Sequence, residues 1–240
     1  QNPDRVIANG CWDPRNGENG LAQFEKDAKT YGWKGVKLYT AEWHGDSKGW
    51  KLSDPWAYRY FEKCQELGVK NIHVHKGPTI RPLNKDALDV GDVDEAATAF
   101  TDLNFIVEHV GLPRLEDFCY IAAQEPNVYA GLAVASALIH KRPHYFGEIL
   151  GELLFWLGAD RILYGSDYAI WSPKWIVEAL MEYQLPADVS AETGQTLTLD
   201  IRKKIMGENA ARLYGIDIAE RTKKITPATP ENVEAAAAFA

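Results

Sequence analysis

The sequence predicts an α/β fold built on a parallel sheet, and three observations lead there. Short apolar runs centred on Leu38, Ile72, Ile106, Tyr129 and Leu163 recur at spacings of 34, 34, 23 and 34 residues. Most of the gaps hold one stretch of helical length and period, the pattern of βα units around a parallel sheet. The chain has 240 residues, 46% hydrophobic and 25% charged, an ordinary globular balance with enough apolar mass for one large domain or two small ones.

Each element has a local reason. Arg5 to Trp12 (RVIANGCW) reads as a strand ending in a Gly-containing turn. Asn19 to Thr30 sets Leu21 and Phe24 among Glu25, Lys26 and Lys29, an amphipathic helix. Trp33 to Tyr39 is the next strand. Trp43 to Pro55 is a polar loop, long enough to be functional rather than connective. Ser53-Asp54-Pro55 opens a helix that runs to Leu67 and stops at Gly68. Asn71 to His75 is a strand, followed by a second long loop to about Gly91.

Asp92 to Ala99 is a short helix with an acidic first turn, which favours its positive end. Asn104 to His109 is a strand, Leu115 to Glu125 a helix and Val128 to Ala133 a strand. Pro143 to Leu157 is a helix so apolar (FGEILGELLFWL) that it is expected to be buried over much of its circumference. Ile162 to Tyr164 is a short buried strand that delivers Asp167 just past its C-terminal end. Ser172-Pro173, a cap followed by proline, starts a helix to Tyr183, and Leu199 to Leu213 forms another. Six strands are expected. Residues 1–218 would form the folded domain, and residues 219–240 a tethered or disordered tail with a short Ala-rich helix.

A net charge of -8 argues against nucleic acid and against an anionic membrane surface as partners, although many enzymes are this acidic for solubility alone. No run approaches the 18 apolar residues of a membrane helix, and no signal peptide is visible at Gln1. Cys11, Cys64 and Cys119 are odd in number and far apart. They read as reduced thiols of a cytoplasmic protein.

Three strand ends carry groups suited to metal binding or proton transfer: His75, His109 and Asp167. In parallel α/β folds that edge of the sheet is where ligands bind. Neutral imidazole and carboxylate suit zinc or a similar divalent ion, and an imidazole off the metal can act as acid or base. A lone histidine at a strand end is more often structural, but three such ends together are harder to dismiss. His73 is the weakest member, one layer below His75 on the same face. His44, His140 and His144 read mainly as solvated, with His44 able to line a pocket through its loop. Lys37 lies within a strand and could be a carbamylated metal bridge, a binder of a substrate carboxylate or a partner for a buried acid, the last two being favoured. Arg81, in the loop after His75, is a candidate for an anionic substrate group. Trp43, Trp50, Tyr168 and Trp171 are expected to wall a pocket for a planar substrate.

Five segments come in an order that resembles the amidohydrolase-related TIM-barrel proteins: GVKLY (35–39), HVHKG (73–77), NFIVEHVG (104–111), LYGSDY (163–168) and GENAARLYGI (207–216). The nearest branch resembles the one containing aminocarboxymuconate-semialdehyde decarboxylase and the aromatic-acid decarboxylases, over roughly residues 5–216. The resemblance implies a (β/α)8 TIM barrel of which strands 3–8 lie in this chain. It also implies one divalent ion, zinc first and manganese or magnesium next, held by His75 and Asp167. Asp167 would also be catalytic, and His109 would be an acid/base or substrate contact. The family's first-strand His-x-His has no counterpart here, so strands 1 and 2 are expected to be missing. The expected function is a metal-dependent hydrolase or decarboxylase acting on a small, aromatic or carboxylate-bearing molecule, in a homo-oligomer or a larger assembly. The alternatives are a non-catalytic barrel serving as an accessory subunit and a binding protein for a small aromatic acid.

Overall fold

The computed structural model describes residues 6–79, 82–168 and 170–224. Its elements run α1 (Gly17–Tyr31), β1 (Gly35–Leu38), α2 (Pro55–Leu67), β2 (Asn71–His75), α3 (Asp92–Ala99), β3 (Asn104–Glu108), α4 (Leu115–Gln124) and β4 (Val128–Gly131). They continue with α5 (Leu138–Lys141), α6 (Pro143–Leu157), β5 (Ile162–Leu163), α7 (Pro173–Glu182), α8 (Ala187–Thr193), α9 (Leu199–Lys203), α10 (Asn209–Tyr214) and α11 (Ile218–Lys224). The five strands form one sheet in the order β1-β2-β3-β4-β5, with every pair parallel.

Alternation along the strands divides the sheet into two unlike faces. Val36, Leu38, Ile72, Val74, Phe105, Val107, Val128, Ala130 and Ile162 are fully buried and belong to the core under the helices. The opposite face carries Lys37, His73, His75, Ile106, Glu108 and Gly131, most of them only half-buried. Parallel sheets bury both faces with apolar residues as a rule, so a face this polar marks a site rather than a core.

The sixth expected strand is corrected. Within the Arg5 to Trp12 stretch, the described part meets the sheet only at a single parallel bridge between Gly10 and Val36. Two hydrogen bonds make it, Gly10 N–H to Gly35 O (3.0 Å) and Gly10 O from Lys37 N–H (2.8 Å). A Cβ on Gly10 would stand 2.2 Å from Trp33 Cε3, so only glycine can approach here. Preceding it, Val6 and Ile7 stay exposed instead of entering a ladder.

α6 is as buried as its sequence predicts, with Phe146, Ile149, Leu150, Leu153, Leu154 and Leu157 in the core. Each such side chain contributes roughly 1.5–3 kcal/mol by removal from water. Gly147 and Gly151 open its flank: a Cβ would meet Pro186 Cδ at 2.4 Å and Val189 Cγ1 at 2.6 Å, so α8 packs close. α8 itself, polar and seven residues long, was not legible as a helix. The expected Leu199 to Leu213 helix forms as α9 and α10 joined through a π turn at Lys204–Glu208. Residues 219–224 continue α11 where a tail was expected, and the Ala-rich stretch lies outside the described residues.

Two polar clamps hold the loops and the last helix. The fully buried Lys76 reaches Asp92 (2.7 Å) and Ala87 O (3.2 Å), while Asp92 also accepts from Leu52 N–H (2.8 Å). That ion pair ties the loops after β1 and β2 to the start of α3. In the Asn-Ala-Ala-Arg-Leu-Tyr segment, Asn209 donates to Ala159 O (2.7 Å) and Ile162 O (2.8 Å), and Arg212 donates to Asp160 O (2.5 Å). The segment that carried much of the resemblance therefore fastens α10 to the entry of β5.

Candidate active site

The strand ends converge as expected, and the backbone there is strained. His109 (φ 65), Val110 (φ 49), Val134 (φ 65) and Asp167 (φ 53) are the non-glycine residues with positive φ among those described. They follow β3, β4 and β5. Each such conformation costs on the order of 1–3 kcal/mol and is held only by its surroundings, a pattern that concentrates at functional sites. Gly77 makes room for this geometry, since a Cβ there would stand 2.5 Å from His109 Cβ.

His109 and His75 form a directed chain. The Ala133 carbonyl can only accept, so His109 Nδ1 donates to it at 2.9 Å. His109 Nε2 is then an acceptor, and His75 Nδ1 donates to it at 3.1 Å. That assignment leaves the lone pair on His75 Nε2, a buried atom with no hydrogen-bond partner. Burial lowers the His75 pKa to about 3, with smaller contributions from His109 and Lys37. Burial also lowers that of His109. Both rings are neutral near pH 7, and His75 presents a bare imidazole nitrogen.

His75 lines a cavity of about 340 Å³ whose walls are mostly apolar: Tyr39, Leu83, Leu88, Val134, Ile170 and Trp171, with Asp167 among the polar groups at its edge. Asp167 also lines a second, polar cavity of about 420 Å³, on the face of the sheet that holds Lys37, His73 and Glu108. There Glu108 Oε1 lies 2.7 Å from His73 Nδ1, and His73 Nε2 lies 2.7 Å from Tyr214 Oη. Asn9 Nδ2 donates to the same Oη at 2.8 Å. Burial pushes the Glu108 carboxyl up, but the His73 hydrogen bond and the Lys37 charge outweigh it and hold its pKa at about 2. Gly131 leaves room for this carboxylate, since a Cβ would meet Glu108 Oε2 at 2.5 Å and force it to shift.

The structure sorts the expected residues. His75, Asp167 and Trp171 share the apolar cavity. His109 is 2% exposed with both nitrogens engaged, by the Ala133 carbonyl and by His75, so it stands behind His75. His73 has both nitrogens occupied by Glu108 and Tyr214 and offers nothing to a metal. Trp43 is 57% exposed under Lys48 and lines neither cavity. Trp50 is buried against Trp12 in the core. Tyr168 is 77% exposed and borders the polar cavity. Arg81 lies outside the described residues. His44, His140 and His144 are exposed, His144 being paired with Asp188 and Glu148. Sequence reasoning missed Tyr39, Glu108 and Tyr214. Glu108 could have been found as the carboxylate beside His109 at a strand end.

As a test of metal binding, the orphaned His75 Nε2 is a neutral nitrogen donor, and the Asp167 carboxylate borders the same cavity. Both suit a divalent ion in kind. Among the described residues no group of three or more His, Cys, Asp or Glu could hold one, so the chain's described share of a ligand set is this pair.

Comparison with known proteins follows the same line. The amidohydrolase family model matches residues 1–216. An uncharacterized TIM-barrel protein from Bordetella bronchiseptica superposes with a TM-score of 0.59 at 18% identity, covering 88% of this chain and 65% of that one. 2,6-Dihydroxybenzoate decarboxylase complexed with 2,6-dihydroxybenzoate gives 0.65 at 17%, covering 90% and 72%. A dihydroxybenzoic acid decarboxylase from Polaromonas sp. JS666, with bound manganese and the inhibitor 2-nitroresorcinol, gives 0.59 at 17%, covering 87% and 68%. The chain thus spans about two thirds of the length of these structures, and at such identities the likeness establishes the α/β-barrel fold. No curated protein matches the chain. Among the described residues no helix is long and apolar enough to cross a membrane. From the match over most of its length, together with the strand-end geometry, the chain belongs to the amidohydrolase family.

Proposed function

We propose that this chain acts as a metal-dependent carboxy-lyase or hydrolase on a small, planar, carboxylate-bearing substrate. The observation that carries the reading is the buried, unpartnered His75 Nε2, set by the His109–Ala133 chain, on a residue that lines an apolar cavity that Asp167 also borders. His75 Nε2 and an Asp167 oxygen would hold a divalent ion, which when bound polarises a substrate oxygen or a water. Zinc suits the donors, and the manganese in the Polaromonas enzyme supports that ion equally.

The chain's own residues supply the rest. The Trp171, Leu83, Leu88 and Ile170 walls take a flat ring and exclude water from it. His109 fixes the His75 tautomer through the Ala133 carbonyl, acting as a positioning residue. Asp167, which borders both cavities, is the carboxylate placed to move a proton. In decarboxylation the bond to the carboxyl carbon breaks, carbon dioxide leaves, and the remaining electron pair on the ring carbon takes a proton through Asp167. In hydrolysis Asp167 takes the proton from the attacking water. The decarboxylase neighbours support the first outcome for a dihydroxybenzoate-like acid. The free Cys11, Cys64 and Cys119 support a reducing, cytoplasmic setting, and a homo-oligomer or larger assembly completes the reading.

Elemental analysis of the purified chain, with His75→Gln and Asp167→Ala beside it, tests the proposal. Stoichiometric zinc or manganese lost in both variants, with carbon dioxide release from hydroxybenzoic acids, supports it. The absence of a third ligand among the described residues favours one other reading, a non-catalytic accessory barrel. That reading expects neither metal nor turnover.

A further inference from the structure

Lys37 is a half-buried cation that the reaction above does not use. It lies on β1 in register with His73 and borders the polar cavity. Its ammonium makes no hydrogen bond and no ion pair within 4 Å among the described residues, and its neighbour is the Tyr39 ring, 5.5 Å to the centroid. The charged groups that act on it are Glu108, Asp167 and, when ionised, Cys11. Burial lowers its pKa and these acids raise it, so they favour the ammonium without occupying its hydrogens. Glu108 directs Oε1 to His73 instead.

An ammonium partly withdrawn from water without a hydrogen-bonded counter-charge is penalised, and an anion that supplies one removes part of that penalty. Among the described residues that line the two cavities, Lys37 is the sole lysine or arginine. Hydroxyl donors, Ser166 and Tyr168, stand on the same cavity, whose volume of about 420 Å³ accepts a carboxylate group.

We propose that Lys37 is the anion-binding group of this site, seating the carboxylate of a monocarboxylic acid in the polar cavity and selecting acids over neutral ring compounds. The inference deepens the proposed function and rests on its small-acid substrate class, but it needs no metal. Calorimetric titration of the 240-residue chain with benzoate and with neutral benzamide tests it. The wild type should prefer benzoate. Lys37→Met should weaken benzoate about tenfold or more and leave benzamide within about twofold, as expected for loss of one charge-assisted contact. Lys37→Arg should keep the preference, and circular dichroism of both substituted proteins checks folding. Equal benzoate affinity in wild type and Lys37→Met, or no benzoate binding to the wild type, would overturn the proposal. Manganese binding, measured on the same samples, separates the two readings. Metal bound without a Lys37-dependent benzoate preference refutes the anion site alone. The preference without metal refutes the metal reading alone.

Discussion

Acidifying the metal-free protein should destabilise it through its buried histidines, in a window that the chain's geometry sets. His75 has a pKa near 3 in the fold against an ordinary value of 6.5 for the free side chain. Between those values the unfolded chain carries a proton at this site and the native chain does not, so stability rises with pH and falls on acidification. The slope approaches about 1.4 kcal/mol per pH unit below the unfolded pKa and is half that at it, so moving from about pH 6.5 to pH 5 removes roughly 1.6 kcal/mol through His75 alone. His109, also lowered by burial, adds in the same direction. Glu108 stays silent in this window, because its contribution is lost only as pH falls from 4.5 toward about 2. His144, raised by Asp188, and the buried Asp92, raised by desolvation, work in the opposite sense. Both titrate alike in a His75→Gln/His109→Gln double mutant and cancel in the comparison. Urea unfolding followed by tryptophan fluorescence in the presence of a chelator, at pH 6.5 and at pH 5, gives the stability change for each protein. On acidification the wild type should lose about 1.6 kcal/mol or more beyond what the His75→Gln/His109→Gln protein loses. Equal losses would refute the claim that these rings are held neutral by burial.

Manganese should raise the melting temperature of the wild type but not of His75→Gln or Asp167→Asn; at a hundredfold excess over Kd the gain is about 2.7 kcal/mol, readable by differential scanning fluorimetry. Asn209→Ala should cost about 2–3 kcal/mol in urea unfolding, because the Ala159 and Ile162 carbonyls lose their donor together. Gly131→Ala should cost about 1–3 kcal/mol, since its new Cβ displaces Glu108 from His73. Trp43→Ala should leave ring binding unchanged while Trp171→Ala weakens it, a contrast read by calorimetry with benzamide.

Most elements were legible because their signals are local. β2 begins and ends where its apolar alternation does, and α6 runs from its N1 proline to the end of its apolar run. The Arg5 to Trp12 stretch misled for the opposite reason. Its apolar residues suit a strand, but pairing is a property of two chain segments, and only Gly10 can come close beside Trp33. α8 was hidden because α6 holds it, through contacts at Gly147 and Gly151 rather than through its own pattern. Aromatic content was a poor guide to the pocket: Trp50 packs into the core, Trp43 faces solvent, and Trp171 alone of the three lines the apolar cavity.

The sequence by itself determined the parallel α/β sheet, the family and the gathering of His75, His109 and Asp167 at one sheet edge, because strand period, caps and turn residues are written in neighbouring positions. The tertiary structure decided which imidazole is bare and which stands behind it, that Glu108, His73 and Tyr214 bond to one another, and that the Lys37 ammonium has no ion pair among the described residues. Those outcomes depend on distances of about 3 Å between residues from separate strands and helices, and on burial that shifts charge. Neither is carried by any one stretch of chain.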